Sequence, residues 1–347
     1  MRAHRGRGAP MMRFAWAYGY VRICSYQARA RLGPRAARLA EAGKLGELWR
    51  ELFDEEAPSE ARLAAAAERR LRIEAGRIFT RIAGHDLMAL PFFRALLSKA
   101  EFALVKRLLS SLRGPAQRDE SRDWGEEELP RAPSFDLSAF PNPSAMFSRS
   151  RFSWIADQGF DDLAAAKNRL DRQYYEELWA SLGSIPFTLR ASLASLVARD
   201  VELENLVWAL RLRRYYALSR DEIIPRLVRL RGRDCQAAAL AALALRPDVR
   251  ADWAGWRWEA FVNDAPEPGQ AWYFDVRHFE RSLRRHRFAE LRRTLHLKPS
   301  SYAPLYCFFR IQEYEIASIF AVIEGLQLKA PFAEIADFVG GLAEVGA

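Results

Sequence analysis

The sequence predicts an all-α fold built from three pseudo-symmetric helical repeats, and three observations carry that expectation. The chain is 50% apolar and 28% charged, and rich in Ala, Leu, Arg and Glu, residues that lose little rotamer freedom in a helix. No Asn-Gly or Asp-Gly turn joins short alternating runs, so hairpin grammar is missing. A helical signature recurs as KAEFALVKRLLSSL (99–112), RDVELENLVWALRL (199–212) and RIQEYEIASIFAVI (310–323). Each copy has an acidic residue (Glu101, Glu202, Glu313), an apolar or amide position three later (Leu104, Asn205, Ile316) and an apolar run. Repetition at even spacing outweighs any single motif.

The elements follow in order. Residues 1–12 (MRAHRGRGAPMM) read as a disordered basic arm, and Met11 and Met12 offer alternative starts. A helix from Phe14 to Arg31 carries Trp16 and Tyr20 with arginines opposite, and Gly33-Pro34 interrupts it. One or two short helices span 35–53. A long helix covers 59–83, with Ser59 as N-cap and Glu60 in the first turn. Pro91 opens a helix holding the first signature, with Leu97, Leu104, Val105, Leu108 and Leu112 on one face. These elements form the first repeat, 13–113.

Residues 114–146 are charged and proline-rich, and read as a linker. The second repeat, 147–231, holds a helix from about Asp161 and another over 187–214 with the second signature. Pro225 opens a further helix to about Arg231. The third repeat, 232–347, begins with a Trp- and Pro-rich insertion at 246–270. It continues with a strongly basic helix (275–295), a helix over 305–326 with the third signature, and a last helix (331–343) starting at Pro331.

The net charge is +9, with 53 Lys+Arg against 44 Asp+Glu. That permits an anionic partner without requiring one. Cys24, Cys235 and Cys307 are far apart, with no C-x-x-C, which suits a reduced, cytoplasmic compartment. The longest apolar runs, 237–245 and 316–323, fall short of the ~20 residues that span a bilayer, so a soluble protein is expected.

The chemistry of common sites is not written in the chain. Gly43-Lys44 lacks the upstream glycine and following hydroxyl of a phosphate-binding loop, and no G-x-G-x-x-G or G-x-S-x-G occurs. No cofactor or metal is expected. His278 and His286 lie two turns apart, too far to share a metal unaided, and His85-Asp86 follows Gly84 as a cap or loop. Glu202/Glu204 and Glu313/Glu315 could be paired catalytic carboxylates. Their recurrence in corresponding places argues instead for architecture, because a catalytic pair is needed once. In the helix 275–295, Phe279, Phe288 and Leu291 interrupt the arginines at core spacing, so a solvated basic face over a buried stripe is the better reading than base stacking.

The stretch YGYVRICSYQARARL followed by KLGELWRELF resembles the opening of one stalk component of the V/A-type rotary ATPases, the family called the C subunit in A-type enzymes and the d subunit in eukaryotic V-ATPases. The central RDVELENLVWALRLRRYYALSRDEII is similar to that family's acidic "E-V-D-x-x-N-L" helix, with Asp200, Glu202, Asn205 and Leu206 at matching places. APLYCFFRIQEYEIASIFAVIEGLQLKAP resembles its "Y-[IV]-x-x-[RK]-E-x-E-[IW]" segment, with Phe309, Arg310, Glu313 and Glu315 in register, one residue of slack allowed. The resemblance spans 13–343. It departs at Leu104, where the family often has Asn, and in the longer 114–146 and 246–270 segments.

The resemblance implies a three-lobed, all-α funnel and a non-catalytic central-stalk adaptor, one copy per complex. Its expected partners are the central-axle subunits and the proteolipid ring, so it would sit peripherally on the cytoplasmic face of the membrane complex. It would transmit torque for proton or sodium transport. Glu101, Glu202, Asn205, Glu313 and Glu315 are then repeat-signature structural residues. The arginines Arg22, Arg29, Arg31, Arg284 and Arg285 form a candidate partner face. The rival readings are a helical nucleic-acid-associated protein using 275–295, and an enzyme built on the carboxylate pairs.

Overall fold

The computed structural model describes residues 8–113, 132–264 and 271–340. Among these residues the secondary structure is helical, save one isolated bridge between Leu230 and Arg233. The helices are α1 (Gly8–Arg29), α2 (Pro34–Leu39), α3 (Leu45–Phe53), α4 (Glu60–Met88), α5 (Pro91–Leu97), α6 (Lys99–Arg113), α7 (Pro143–Phe147) and α8 (Ser153–Gln158). They continue as α9 (Leu163–Ser181), α10 (Phe187–Tyr216), α11 (Arg220–Ile223), α12 (Ala237–Ala244), α13 (Val276–Leu297), α14 (Ala303–Gln327) and α15 (Phe332–Gly340).

By contacts the chain divides into two units. Of the described residues, one takes 8–89 and 285–340, the other 90–113, 132–264 and 271–284. The first and second signature helices, α6 and α10, fall in the second unit, and the third, α14, in the first. The stretch expected as a third repeat is thus shared, and α13 gives residues 276–284 to one unit and 285–297 to the other.

The first unit is built helix on helix. α14 packs against α1, α2, α4 and α15. Its core joins Ala36, Leu39, Leu48, Leu63 and Ala67 to Ile319, Val322, Ile323, Ile335 and Val339. At Gly325, α14 lies so close to α15 that an added Cβ would sit 2.6 and 2.7 Å from the Ile335 side chain. In α4, Gly84 has φ +68 and breaks the helical path, so the expected end near residue 83 is a kink, with the chain turning helical again to Met88. Ser59 occupies the N-cap position, but its side chain makes no capping hydrogen bond.

In the second unit α5 and α6 pack on α9, and α10 packs on α12. The segment 246–264 is irregular with two 3-10 turns, Arg250–Trp253 and Glu259–Phe261, as its Trp and Pro content predicts. Its Trp253 and Trp258 are buried with Phe274, Phe279, Leu206 and Leu210. Trp253 stacks on Phe274 at 4.1 Å between ring centres.

Three expectations need correction. Residues 8–12, placed with the basic arm, already belong to α1; a proline in the first turn costs a helix no hydrogen bond. The linker 114–146 is not one throughout: 114–131 lie outside the described residues, but 132–146 are structured, with Phe135 and Met146 buried. Phe135 packs on Phe147 and Phe152, and Asn142 caps α7 by accepting from the Ala145 N–H. Proline-rich composition hid these aromatic anchors. The helix expected from Pro225 to Arg231 is a single 3-10 turn ending at Arg226, after which 227–236 run irregularly.

Candidate functional site

The three signature carboxylates share one chemistry, since each holds an arginine. Glu101, at the start of α6, is buried and ion-pairs with Arg151, which also reaches Glu177 at 2.7 Å. A second Glu101 oxygen accepts from the Ser134 N–H, tying the 132–142 segment to α6. Glu202 on α10 accepts from Arg199 one turn earlier at 2.8 Å and from Arg257 of the Trp-rich segment at 2.9 Å. Glu313 on α14 pairs with Arg310, again one turn earlier. Residues three apart share a helix face, so the R-x-x-E spacing of α10 and α14 builds the pair locally. In α6 the corresponding place is Ser98, and Arg151 supplies the cation from elsewhere.

Aromatic faces complete two of these pairs. The Arg151 guanidinium lies 4.7 Å from the Phe102 ring centre and 5.1 Å from that of Phe152. Arg199 and Arg257 lie over Trp258 at 4.6 and 5.0 Å. Such stacking offsets part of the desolvation that a half-buried ion pair costs.

Asn205 does different work. Fully buried on α10, its amide donates to the Val228 carbonyl at 3.0 Å and the Cys235 carbonyl at 2.9 Å. Its Oδ1 accepts from the Val228 N–H at 2.8 Å. One side chain thereby satisfies three backbone groups of the irregular 227–236 segment, where unpaired groups would be costly. Burial pushes the neighbouring Cys235 thiol up to about 11, so it stays protonated near neutral pH.

Glu315 meets a loop as well. Its Oε1 accepts from the Arg31 N–H at 2.8 Å. Burial raises its pKa above the ordinary carboxylate value; the Arg31 N–H and charge oppose the rise, and the Glu74 charge adds to it.

The catalytic pairing that the sequence allows is not formed in the structure, because residues two apart on a helix face different ways. Glu202 goes to its arginines while Glu204 lies 3.5 Å from the Tyr175 hydroxyl. Glu313 and Glu315 likewise take separate partners. Phe279, Phe288 and Leu291 of α13 are buried, so the rings that base stacking would need face the core.

The five candidate-face arginines are placed unevenly. Arg22 and Arg29 lie on α1, with Arg22 stacked over Tyr18 at 4.7 Å and Arg29 exposed. Arg31 instead turns its guanidinium to the Leu52 carbonyl at 3.3 Å, at the end of α3. Arg284 and Arg285 are half-buried within α13 and belong to different units. The Tyr20 hydroxyl and His296 ring, 3.2 Å apart, join α1 to the end of α13.

Sequence reasoning missed Arg151, Arg257 and Arg213. Arg213 reaches the Ala242 and Leu245 carbonyls at 3.1 and 2.8 Å, closing the exposed end of α12, and burial lowers its pKa. Each binds a distant segment, and no local spacing marks such a partner.

Among the described residues, which fold as helices joined by irregular segments, the repeated carboxylates are committed to arginines and the buried Asn205 amide to loop backbone, an arrangement that serves architecture. The sequence pattern of the ATP synthase (C/AC39) subunit family matches residues 37–338, and the chain belongs to that family. It is a subunit of the V/A-type ATPases. A protein of Treponema pallidum (strain Nichols), named only as uncharacterized, is 29% identical over 335 residues, covering 94% of this chain and 96% of its own. Among the described residues no helix is long and apolar enough to cross a membrane.

Proposed function

We propose that the protein is the non-catalytic central-stalk adaptor of a V/A-type rotary ATPase, linking the axle to the proteolipid ring and passing torque between them. The family match over 37–338 is the observation that carries this reading. The proposal includes one copy per complex, seated on the cytoplasmic face of the membrane sector, coupling to proton or sodium transport. It also takes α6, α10 and α14 as equivalent helices of three repeats, a reading supported by their shared carboxylate–arginine pairs. Long helices locked by half-buried ion pairs supply the stiffness that a torque coupler needs. The buried rings of α13 favour this reading over nucleic-acid association.

The partner face is proposed along Arg22, Arg29, Arg31, Arg284 and Arg285. Charges across such a face steer encounter and fix register, so their effect is salt-sensitive. Replacing Arg284→Glu and Arg285→Glu together is expected to reduce recovery of axle and proteolipid subunits in pull-downs at low salt, with the helical circular-dichroism signal unchanged. Undiminished recovery across a salt series moves the interface off α13.

A further inference from the structure

The charge of this chain is segregated. Its first 40 residues hold nine arginines and no Asp or Glu; the rest carries 44 basic and 44 acidic side chains, so the whole net charge of +9 resides in that opening stretch. The family match begins only at residue 37, so this stretch lies almost wholly outside it. Within the stretch, α1 packs through Gly19 and Ile23, both buried. On its other side Ala17, Tyr18, Val21, Ser25 and Ala28 recur at three- and four-residue spacing and are exposed, Tyr18 at 61% and Val21 at 63%. Arg22 and Arg29 border that stripe, and the Arg22 guanidinium lies over the Tyr18 ring.

A stripe led by the exposed Tyr18 and Val21 and edged by arginines, on a helix without acidic residues, suits a surface that offers anionic groups beside an apolar layer. Tyrosine suits the headgroup level, being apolar in body and polar at the tip. A polyanion such as RNA would engage the arginines but would gain nothing from Val21, Ala17 and Ala28. We propose that α1 is a membrane-surface anchor, its Tyr18–Val21 stripe entering the headgroup region of an anionic lipid bilayer while Arg22 and Arg29 pair with lipid phosphates. This anchor gives Arg22 and Arg29 to lipid where the partner face proposed above gives them to protein, and lipid binding by the chain alone, without other ATPase subunits, separates the two.

The test is sedimentation of the full chain with vesicles of phosphatidylcholine alone or with roughly a third phosphatidylglycerol, an anionic surface that attracts basic segments. Binding is expected only to the anionic vesicles. Tyr18→Ser with Val21→Ser, which leaves the charge untouched, is expected to weaken it about ten-fold or more through lost apolar insertion. Arg22→Gln with Arg29→Gln is expected to weaken it by a comparable factor at low salt and less at high salt. Val21→Leu keeps the stripe and should keep the binding. All these positions are exposed or edge positions, and circular dichroism checks that each variant folds. Failure to bind anionic vesicles overturns the proposal, as does binding indifferent to the Tyr18/Val21 change. Tighter binding of a single-stranded oligonucleotide than of vesicles, equally indifferent to that change, reassigns the surface to nucleic acid.

Discussion

The second and third signature helices spend the same position differently. Three residues after the signature glutamate, α10 buries Asn205 and α14 buries Ile316. Asn205 faces the irregular 227–236 segment, whose backbone groups lack helical partners; Ile316 sits in a core assembled from α2, α3, α4 and α15, whose backbones satisfy themselves. A buried position takes its polarity from what packs on it. Irregular chain recruits an amide, and helix accepts a hydrocarbon. Glu315 obeys the same rule within α14, because its partner is the loop residue Arg31.

The largest test of this contrast is Asn205→Leu. It strands the Val228 N–H and the Cys235 carbonyl and leaves the Val228 carbonyl only the Gln236 amide at 3.5 Å, and should cost about 3–5 kcal/mol in urea unfolding, or prevent folding, given the penalty of each unsatisfied buried group. Ile316→Val, which removes one methyl from an apolar neighbourhood, should cost only about 1 kcal/mol. A loss below about 1 kcal/mol for Asn205→Leu would show that water can replace the amide, ending the contrast.

Gly325→Ala sharpens the helix-on-helix side. The added Cβ meets Cγ1 and Cδ1 of Ile335 within 2.7 Å, so that buried side chain must move. We expect a net loss of about 1 kcal/mol, overpacking outweighing the helix propensity gained, with amide exchange in α15 accelerated first. Gly183→Ala in the other unit, where no atom lies within 4 Å of the new Cβ, is the control and should be near neutral. Equal exchange in both variants would show that α15 does not depend on that approach.

The smallest effect is expected at Glu315. Its pKa is raised in the fold, so the ionised carboxylate is disfavoured there relative to the unfolded chain. Stability is therefore lost as pH rises from the ordinary carboxylate value through the folded one. Glu315→Gln retains an oxygen for the Arg31 N–H and removes the titration. The variant should melt above the parent at neutral pH, and the gap should close as pH falls below about 4, under the ordinary carboxylate value, where both states of the parent bind the proton. A gap that does not change with pH would show that the carboxylate ionises without cost.

The extent of α10 and α14 and the stripes on α6 and α10 were legible because they depend on residues three or four apart. The Trp-rich segment is recognisable as irregular and partly buried from composition alone. Family membership was also legible, since it rests on the order of motifs along the chain. What composition misjudged was 132–146, where Phe135 and Met146 are anchors inside a proline-rich stretch.

By itself, then, the sequence determined the helical class, the periodic faces and the family, all of which are written in short-range spacing or linear order. Only the tertiary structure decided that Arg151 serves Glu101, that Asn205 holds 227–236, that Arg31 turns inward to Leu52, and that the contacts gather the chain into two units. Those partnerships join residues far apart in the chain. Their choice depends on which backbone groups and charges remain unsatisfied once the helices have packed, and no local pattern contains that information.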